Sequence, residues 1–377
     1  MAFGAMNFQC ADPKILSLTS SRTDMSNVTS GQICAHHHLY STLVRGMPPP
    51  RRQPASFIDI LEQIWWRVDI ALDLEIVYWS AALGAAEALM SGTTCLIDHH
   101  ESPFAIEGSL STIALACADV GVRVNACYGV TDRWTANGQV SKVSPLSPIT
   151  EGAKRGLAEN DRYLGDGGRG MVGVHASFTC SDETLHLAAD LALRHQVGVH
   201  IHVAESLDDV AAGARLEHLA KEDWLLIHAV YLDRHLAGRI VHNPRSNMIN
   251  SVGYRAPVTH SNPVLLGTDG IGSDMFEEFR LAYARSREYD IAVTPDIAMS
   301  WLTNSYELFP EARDDEVIWN YDHVDSPWHV AFTPSIRALE VTVNGEKVLS
   351  NGIPTRVDID EIRAKANEQS QRLHARL

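Results

Sequence analysis

Several common features are scarce or missing in this sequence, and each absence narrows what the chain can be. Cysteine is rare: six among 377 residues, at positions 10, 34, 95, 117, 127 and 180. None forms a CxxC pair and several sit inside apolar runs, so buried thiols in a reducing compartment are expected rather than a disulfide framework. No apolar run approaches the ~20 residues of a membrane span. The start, MAFGAMNFQC, lacks the charged beginning and apolar core of a signal peptide. Cations are outnumbered, with Lys+Arg 31 against Asp+Glu 47 and a net charge of −16. That balance argues against nucleic acid or an anionic membrane as partner, and no run of like charge marks a tail. A soluble, cytoplasmic protein acting on a small molecule is expected. The glycine-rich GDGGRG at 165–170 lacks the Lys-Ser/Thr of a phosphate loop and reads as a turn.

What the chain does contain is a large apolar fraction, 45% of the residues, arranged in a regular alternation. Short apolar runs that read as buried strands fall at 31–38, 93–98, 123–128, 171–176, 197–203, 224–229, 239–242 and 264–269. Stretches with apolar positions at three- and four-residue spacing fall between nearly all of them, at 56–70, 73–91, 104–120, 149–164, 181–195, 207–220 and after Pro244, with one more at 274–289. Strands alternating with helices predict an α/β fold, a parallel sheet closed into a (β/α)8 TIM barrel. Three parts follow: a remnant N-terminal segment over 1–30, the barrel over 31–308, and a C-terminal segment over 309–377. The last loses periodicity at 309–335, shows a hairpin signal at 337–348 around Asn344-Gly345, and ends in an amphipathic helix.

The stretch GQICAHHHLY at 31–40 is the centre of the functional reading. Alternate side chains of a strand share a face, so His36 and His38 point one way and His37 the other. Later runs also end in His or Asp: Asp98, His175, His200 and His202, His228, His242 and Asp269. In a barrel the site lies where strands end at the C-terminal face. Three imidazoles and a carboxylate suit a divalent transition metal with one position left for water, and such an ion lowers the pKa of bound water to roughly 7. Glu205, three residues past His202 in HVAE, can reach the site without ligating, as a proton shuttle.

The set AHHHLYSTLVRG, GTTCLIDHH, GVHASFTCSDETL, GVHIHVAE, LIHAVYLD, HNPRSN and LGTDG, in this order across 31–290, resembles the amidohydrolase superfamily. Within it the chain is similar to the aminohydrolases of the SsnA, chlorohydrolase and guanine-deaminase type. The resemblance implies that His36, His38, His202 and Asp269 hold one divalent ion, zinc, with iron(II) as the alternative. It implies that Glu205 is the general acid/base, that His228 orients the attacking water and polarises the substrate, and that Asp269 also accepts that water's proton. Two-metal members place a carboxylated lysine at the end of strand four. Here that end holds His175, and none of the six lysines ends a strand, which favours one metal. The resemblance also implies a homodimer and a β-sandwich built from both termini, which is expected to be reduced or missing because 1–30 and 309–335 lack the usual pattern.

The expected activity is hydrolytic deamination of a nitrogen heterocycle or a cyclic guanidine or amidine: hydroxide attacks an sp2 carbon and ammonia leaves. Hydrolysis of a carbon–halogen bond or a cyclic amide at the same site, or a non-catalytic barrel, are the alternatives. Candidate substrate contacts are His175, Arg45, His242 and His99. Guanine-specific relatives carry Arg near His175, so the resemblance points away from guanine. His200 reads as a residue behind the ligands, His37 as structural, and Trp65, Trp66 and Trp79 as helix core.

Overall fold

The computed structural model describes residues 26–377. Eight parallel strands form its centre: β1 (Gln32–His38), β2 (Thr93–His100), β3 (Arg123–Tyr128), β4 (Val172–Ala176), β5 (Val199–Val203), β6 (Leu225–His228), β7 (Arg239–His242) and β8 (Val264–Leu266). One arc runs β1–β2–β3 and another β4 to β8. Backbone hydrogen bonds join the arcs at both seams. Ala126 N–H donates to Arg169 O and Val130 N–H to Gly173 O, each 3.1 Å. On the other side Thr268 N–H donates to His36 O at 3.0 Å, and Asp269–Gly270 pairs with His37–His38. The strands thus close into the expected (β/α)8 barrel.

Helices cover the outside because their apolar faces have nowhere else to be buried. Leu74–Met90 starts at the Asp73 cap, whose side chain accepts from Ile76 N–H, and Asp182–His195 starts at the expected Ser181 cap. The helix expected over 56–70 is less regular: Phe57–Ile60 and Trp66–Ala71 flank a wider π-turn at Leu61–Trp65. The helix expected over 207–220 contracts to a turn at Leu207–Asp209 and a short helix, Ala212–Leu216. Inside the barrel Ile33, Ala35, Ile97, Leu225, Ile227 and Val241 form one packed cluster with Phe309 and Ala312. Gly31 N–H donates to Ala312 O at 3.1 Å, so that pair closes the end of the barrel where β1 begins. The sequence reading assigned both residues to the C-terminal segment; packing ties them to the barrel. Five cysteines among the described residues are free and buried, and no described helix is long and apolar enough to cross a membrane.

Among the described residues one five-stranded antiparallel sheet lies outside the barrel, in the order Val28–Thr29, Glu316–Trp319, Ala338–Val343, Glu346–Ser350, Ile353–Pro354. The irregularity expected over 309–335 is therefore corrected. Glu316–Trp319 is a strand of that sheet and Pro327–Phe332 a helix. A four-residue strand with Val317 and Trp319 buried is too short for its alternation to stand out. Most of the N-terminal segment, 1–25, lies outside the described residues. The terminal helix Ile359–His374 packs against Leu74–Met90 and the turn Leu39–Val44 that follows β1: Ser370 Oγ and His374 Nε2 donate to Leu43 O at 3.1 and 3.0 Å.

Candidate active site

The histidine run of β1 is aimed by an irregularity in its pairing. Cys34 faces Leu96 and His37 faces Asp98, three steps along β1 against two along β2. The extra residue is a β-bulge, which bends a strand and re-aims its side chains. Ala35, which shares the barrel's inner cluster with Ile33, and His36 therefore both turn inward, and His38 follows. His37 is left outward, its Nδ1–H donating to Asp269 O at 2.8 Å. At the other edge of β1, Gly267 lets β8 pass close. A Cβ there would meet Asn243 Oδ1 at 2.5 Å and His36 Cβ and O at 2.9 Å. The chain expected as one strand over 264–269 breaks after Leu266, and Asp269 takes a left-handed φ of 62°.

These turns bring His36, His38, His202 and Asp269 together, with one ligand atom of each within 4.8 Å of every other. Asp269 Oδ1 lies 3.0 Å from His36 Nε2 and 3.1 Å from His38 Nε2, and the Nε2 atoms of His38 and His202 are 3.3 Å apart. A tetrahedron with metal–nitrogen bonds of about 2.0 Å has edges of roughly 3.3 Å, so the set has the dimensions of a metal cage. The second ring nitrogens agree. His38 Nδ1–H donates to His99 O at 2.6 Å and His202 Nδ1–H to His175 O at 2.7 Å, while His36 Nδ1 faces His200 Nε2 at 3.1 Å. Ligand histidines are commonly fixed by such outer partners, which leave Nε2 with its lone pair turned inward. In the bare chain burial holds His36 and His202 well below the usual imidazole range. Burial also works against charge on His38 and Asp269. For both, hydrogen bonding prevails: Asp269 holds His38 up at about 9, and His36 and His38 hold the Asp269 carboxyl well down. A divalent cation at the centre would replace the protons these pairs now share.

Glu205 and His228 stand beside this set, each with an atom within 4.8 Å of Asp269 and of the other. His228 Nε2 is 3.6 Å from Glu205 Oε2. Its Nδ1 lies 2.7 Å from Asn247 Oδ1, which accepts and so assigns the proton to Nδ1. Nε2 is then a buried acceptor without a partner. Burial, with Asp269 and Asp209 nearby, pushes Glu205 well above the usual carboxylate range. Ala204 and His228 have φ of 47° and 68°. Left-handed backbone at non-glycine residues is costly and clusters at functional sites; here it turns each strand end toward the barrel mouth.

A cavity opens over the set, lined among others by His38, His202, Glu205, Asp269 and His175. His175 is the one expected substrate contact on its wall, with Nδ1 2.8 Å from Thr179 Oγ1. The other three are corrected. Arg45 pairs with Glu87 at 2.8 Å on the surface, where solvent and a nearby carboxylate compete for it. His99 is fully buried behind the ligand rings, with Nε2 3.2 Å from Val174 O. His242 is buried next to His228 and does not reach the cavity. Trp66 is core as expected, packed with Leu61 and Trp134, and Trp65 packs against that cluster; both also line the cavity, as do Tyr40, Phe57, Asp69 and Glu101. None of these four was singled out from the sequence. Glu101 directly follows Asp98-His99-His100 at a strand end, the one signal that could have flagged it.

The fold and the histidine cluster belong to a known class. The amidohydrolase family model matches residues 27–304, and the chain belongs to that family, hydrolases acting on carbon–nitrogen bonds other than peptide bonds. Among curated relatives, the 8-oxoguanine deaminase of Pseudomonas aeruginosa is 28% identical, over 79% of this chain and 75% of the relative. The 5'-deoxyadenosine deaminase of Methanocaldococcus jannaschii is 25% identical, over 92% of this chain and 88% of the relative. Among solved structures, an adenosine deaminase from Xanthomonas campestris with bound zinc superposes with a TM-score of 0.75 at 20% identity, covering 92% of this chain and 86% of that one. An atrazine chlorohydrolase from Arthrobacter aurescens complexed with zinc gives 0.69 at 19% identity, covering 91% and 88%. These last two are likenesses of fold.

Proposed function

We propose that the protein is a hydrolytic deaminase of a nitrogen heterocycle, with one zinc ion held by His36, His38, His202 and Asp269. The observation that carries this reading is the placement of Glu205 and His228 at one edge of that set, facing the cavity. A zinc ion held there would supply a hydroxide-strength nucleophile near neutrality, by lowering the pKa of water to roughly 7. Asp269 is placed to take that water's proton, and its second oxygen, Oδ2, is steadied by the Ser246 hydroxyl. Glu205, on the cavity wall, delivers a proton to the ring nitrogen beside the reacting carbon. Its raised pKa suits a group that must hold a proton and give it up near neutrality. His228, fixed as the Nδ1–H form by Asn247, presents the Nε2 lone pair to the attacking water and orients it. His175 contacts the substrate ring. Ammonia leaves.

The relatives named for 8-oxoguanine and 5'-deoxyadenosine support an aminopurine-type ring. The protein works as a homodimer in the cytoplasm. The exposed pair Trp328 and Phe332, at 52% and 66%, supports a covered surface. The barrel over 31–308 and the segment over 309–377 act as one unit, since Phe309 and Ala312 complete the barrel core. The test is ammonia release from a panel of aminopurines, aminopyrimidines and cyclic guanidines by zinc-loaded protein. Turnover lost in Glu205→Gln with zinc retained supports the reading; chloride from halogenated analogues in place of ammonia, or no product at all, counts against it.

A further inference from the structure

Five carboxylates line the cavity, from Asp69, Glu101, Glu205, Asp209 and Asp269, and no lysine or arginine does so among the described residues. Two of the five belong to the metal side. Asp209 is spent on the protein itself, accepting from Ser177 Oγ, Phe178 N–H and Ala204 N–H. Asp69 and Glu101 remain, 1% and 3% exposed. They share one cation, Arg133, which approaches from behind the wall. Its Nη2 donates to Asp69 Oδ2 at 2.9 Å and to Glu101 Oε2, and its Nη1 to Glu101 Oε1 at 3.3 Å. The guanidinium lies between the faces of Trp66 and Trp134, at 5.1 and 4.7 Å, so it is held away from the cavity. Burial and the neighbouring Glu101 push the Asp69 carboxyl well above the usual carboxylate range, so a cation placed beside it would be taken up against a released proton, and Asp69 Oδ1 has no hydrogen-bond partner.

We propose that this Asp69–Glu101 end of the cavity selects substrates by charge. It takes a cationic or hydrogen-bond-donating substituent carried on the heteroaromatic ring, an ammonium or amine first, and rejects phosphate and carboxylate. The inference rests on the deaminase reading of the same site. A buried carboxylate oxygen without a donor carries a desolvation cost that a ligand N–H removes. An anionic substituent would instead meet an acidic pair whose one cation is already engaged, with no lysine or arginine on the cavity wall to receive it. Tyr40, Phe57, Trp65 and Trp66 line the same cavity and supply aromatic surface for the ring itself. Free bases and amine-bearing heterocycles fit this chemistry; nucleotides do not.

Three ligands with one ring test it: 9-(3-aminopropyl)adenine, 9-propyladenine and 3-(adenin-9-yl)propanoate, titrated by calorimetry into the zinc-loaded full chain carrying Glu205→Gln, so that none is consumed. The amine is expected to bind tightest and the propanoate weakest, about tenfold or more apart, equivalent to ~1.4 kcal/mol or more. Adding Asp69→Asn is expected to bring that ratio within about threefold. Glu101→Gln serves as the second variant if Asp69→Asn melts early. A propanoate that binds as well as the amine overturns the proposal, and so does binding by none of the three. Ammonia release is followed separately in the unaltered chain. Its absence with the amine-first ranking intact removes the deaminase reading and leaves charge selection standing.

Discussion

His38 and His202 turn their Nε2 atoms toward each other at 3.3 Å, with ring planes 16° from parallel. Each ring spends its Nδ1–H on a backbone carbonyl. Two neutral imidazoles so fixed would set lone pair against lone pair, an arrangement that a proton or a metal ion between them makes favourable. Replacing His202 with Ala should therefore abolish stoichiometric zinc, read by plasma mass spectrometry on dialysed protein, and lower the melting temperature to that of chelator-treated protein. At a thousandfold excess of zinc over its dissociation constant the stabilisation lost is about 4 kcal/mol. Zinc content unchanged in His202→Ala would place the ion elsewhere.

Glu205 touches no metal-facing nitrogen and makes no hydrogen bond that holds the fold. Glu205→Gln should keep zinc and melting temperature while lowering kcat by about 10²–10⁴-fold, the range for a positioned proton-transfer group. A drop confined to KM would assign the residue to binding instead.

His200 is fully buried with Nε2 3.1 Å from His36 Nδ1. On an ion held by His36 it would act only through that ring. Removing such an outer partner usually costs 10–100-fold in metal affinity or activity. His200→Phe should shift zinc affinity by about that factor in competition with a chelating dye, with the circular dichroism spectrum unchanged.

Gly267 gives a steric prediction. Gly267→Ala would press a methyl group against Asn243 and His36; overpacking of this kind costs about 1–3 kcal/mol. Because the strand cannot give way without moving His36, zinc affinity should fall together with the denaturation midpoint. An unaltered affinity would mean that the β8–β1 seam is softer than the packing implies.

A buried carboxyl makes the metal-free protein pH-sensitive. Asp98 accepts from Leu39 N–H at 2.6 Å, its Oδ2 has no partner, and burial pushes it up to about 7. An unfolded Asp titrates near 3.9. Between those values the folded chain holds a proton that the unfolded chain has released, so this group's contribution to stability falls as pH rises from about 4 to 7. Asp98→Asn keeps an acceptor for Leu39 and should flatten the melting-temperature profile in that window. A slope unchanged in the variant would trace it to other groups.

Much of the barrel is legible because its strands are short apolar runs, all but Arg123–Tyr128 punctuated by a histidine or aspartate. His36, His38, His202 and Asp269 could be picked out for the same reason. The bulge in β1 was not legible: it exists only in the pairing of Cys34 and His37 with Leu96 and Asp98, and a strand's own composition carries no trace of its partner's step. Alternation alone also keeps Ala35 on the face opposite His36, whereas both point inward. Helical spacing marks Trp65 and Trp66 as core, which they are, but it does not say that the same rings also edge a cavity. Asp69, Glu101 and Arg133 come from three separate segments above the barrel, and their convergence depends on loop conformations that local pattern does not encode. Arg45 failed as a substrate contact through a competing partner, Glu87, 42 positions away.

The additional residue in β1 makes the length of the histidine run matter as much as its composition. Three consecutive histidines suggest redundancy, since any two would still form a pair. Yet deleting one letter would impose strict alternation on the two that remain, putting them on opposite faces and leaving only one imidazole turned into the barrel. A change of length in the loops around the site turns no ligand; a change of length in this run does.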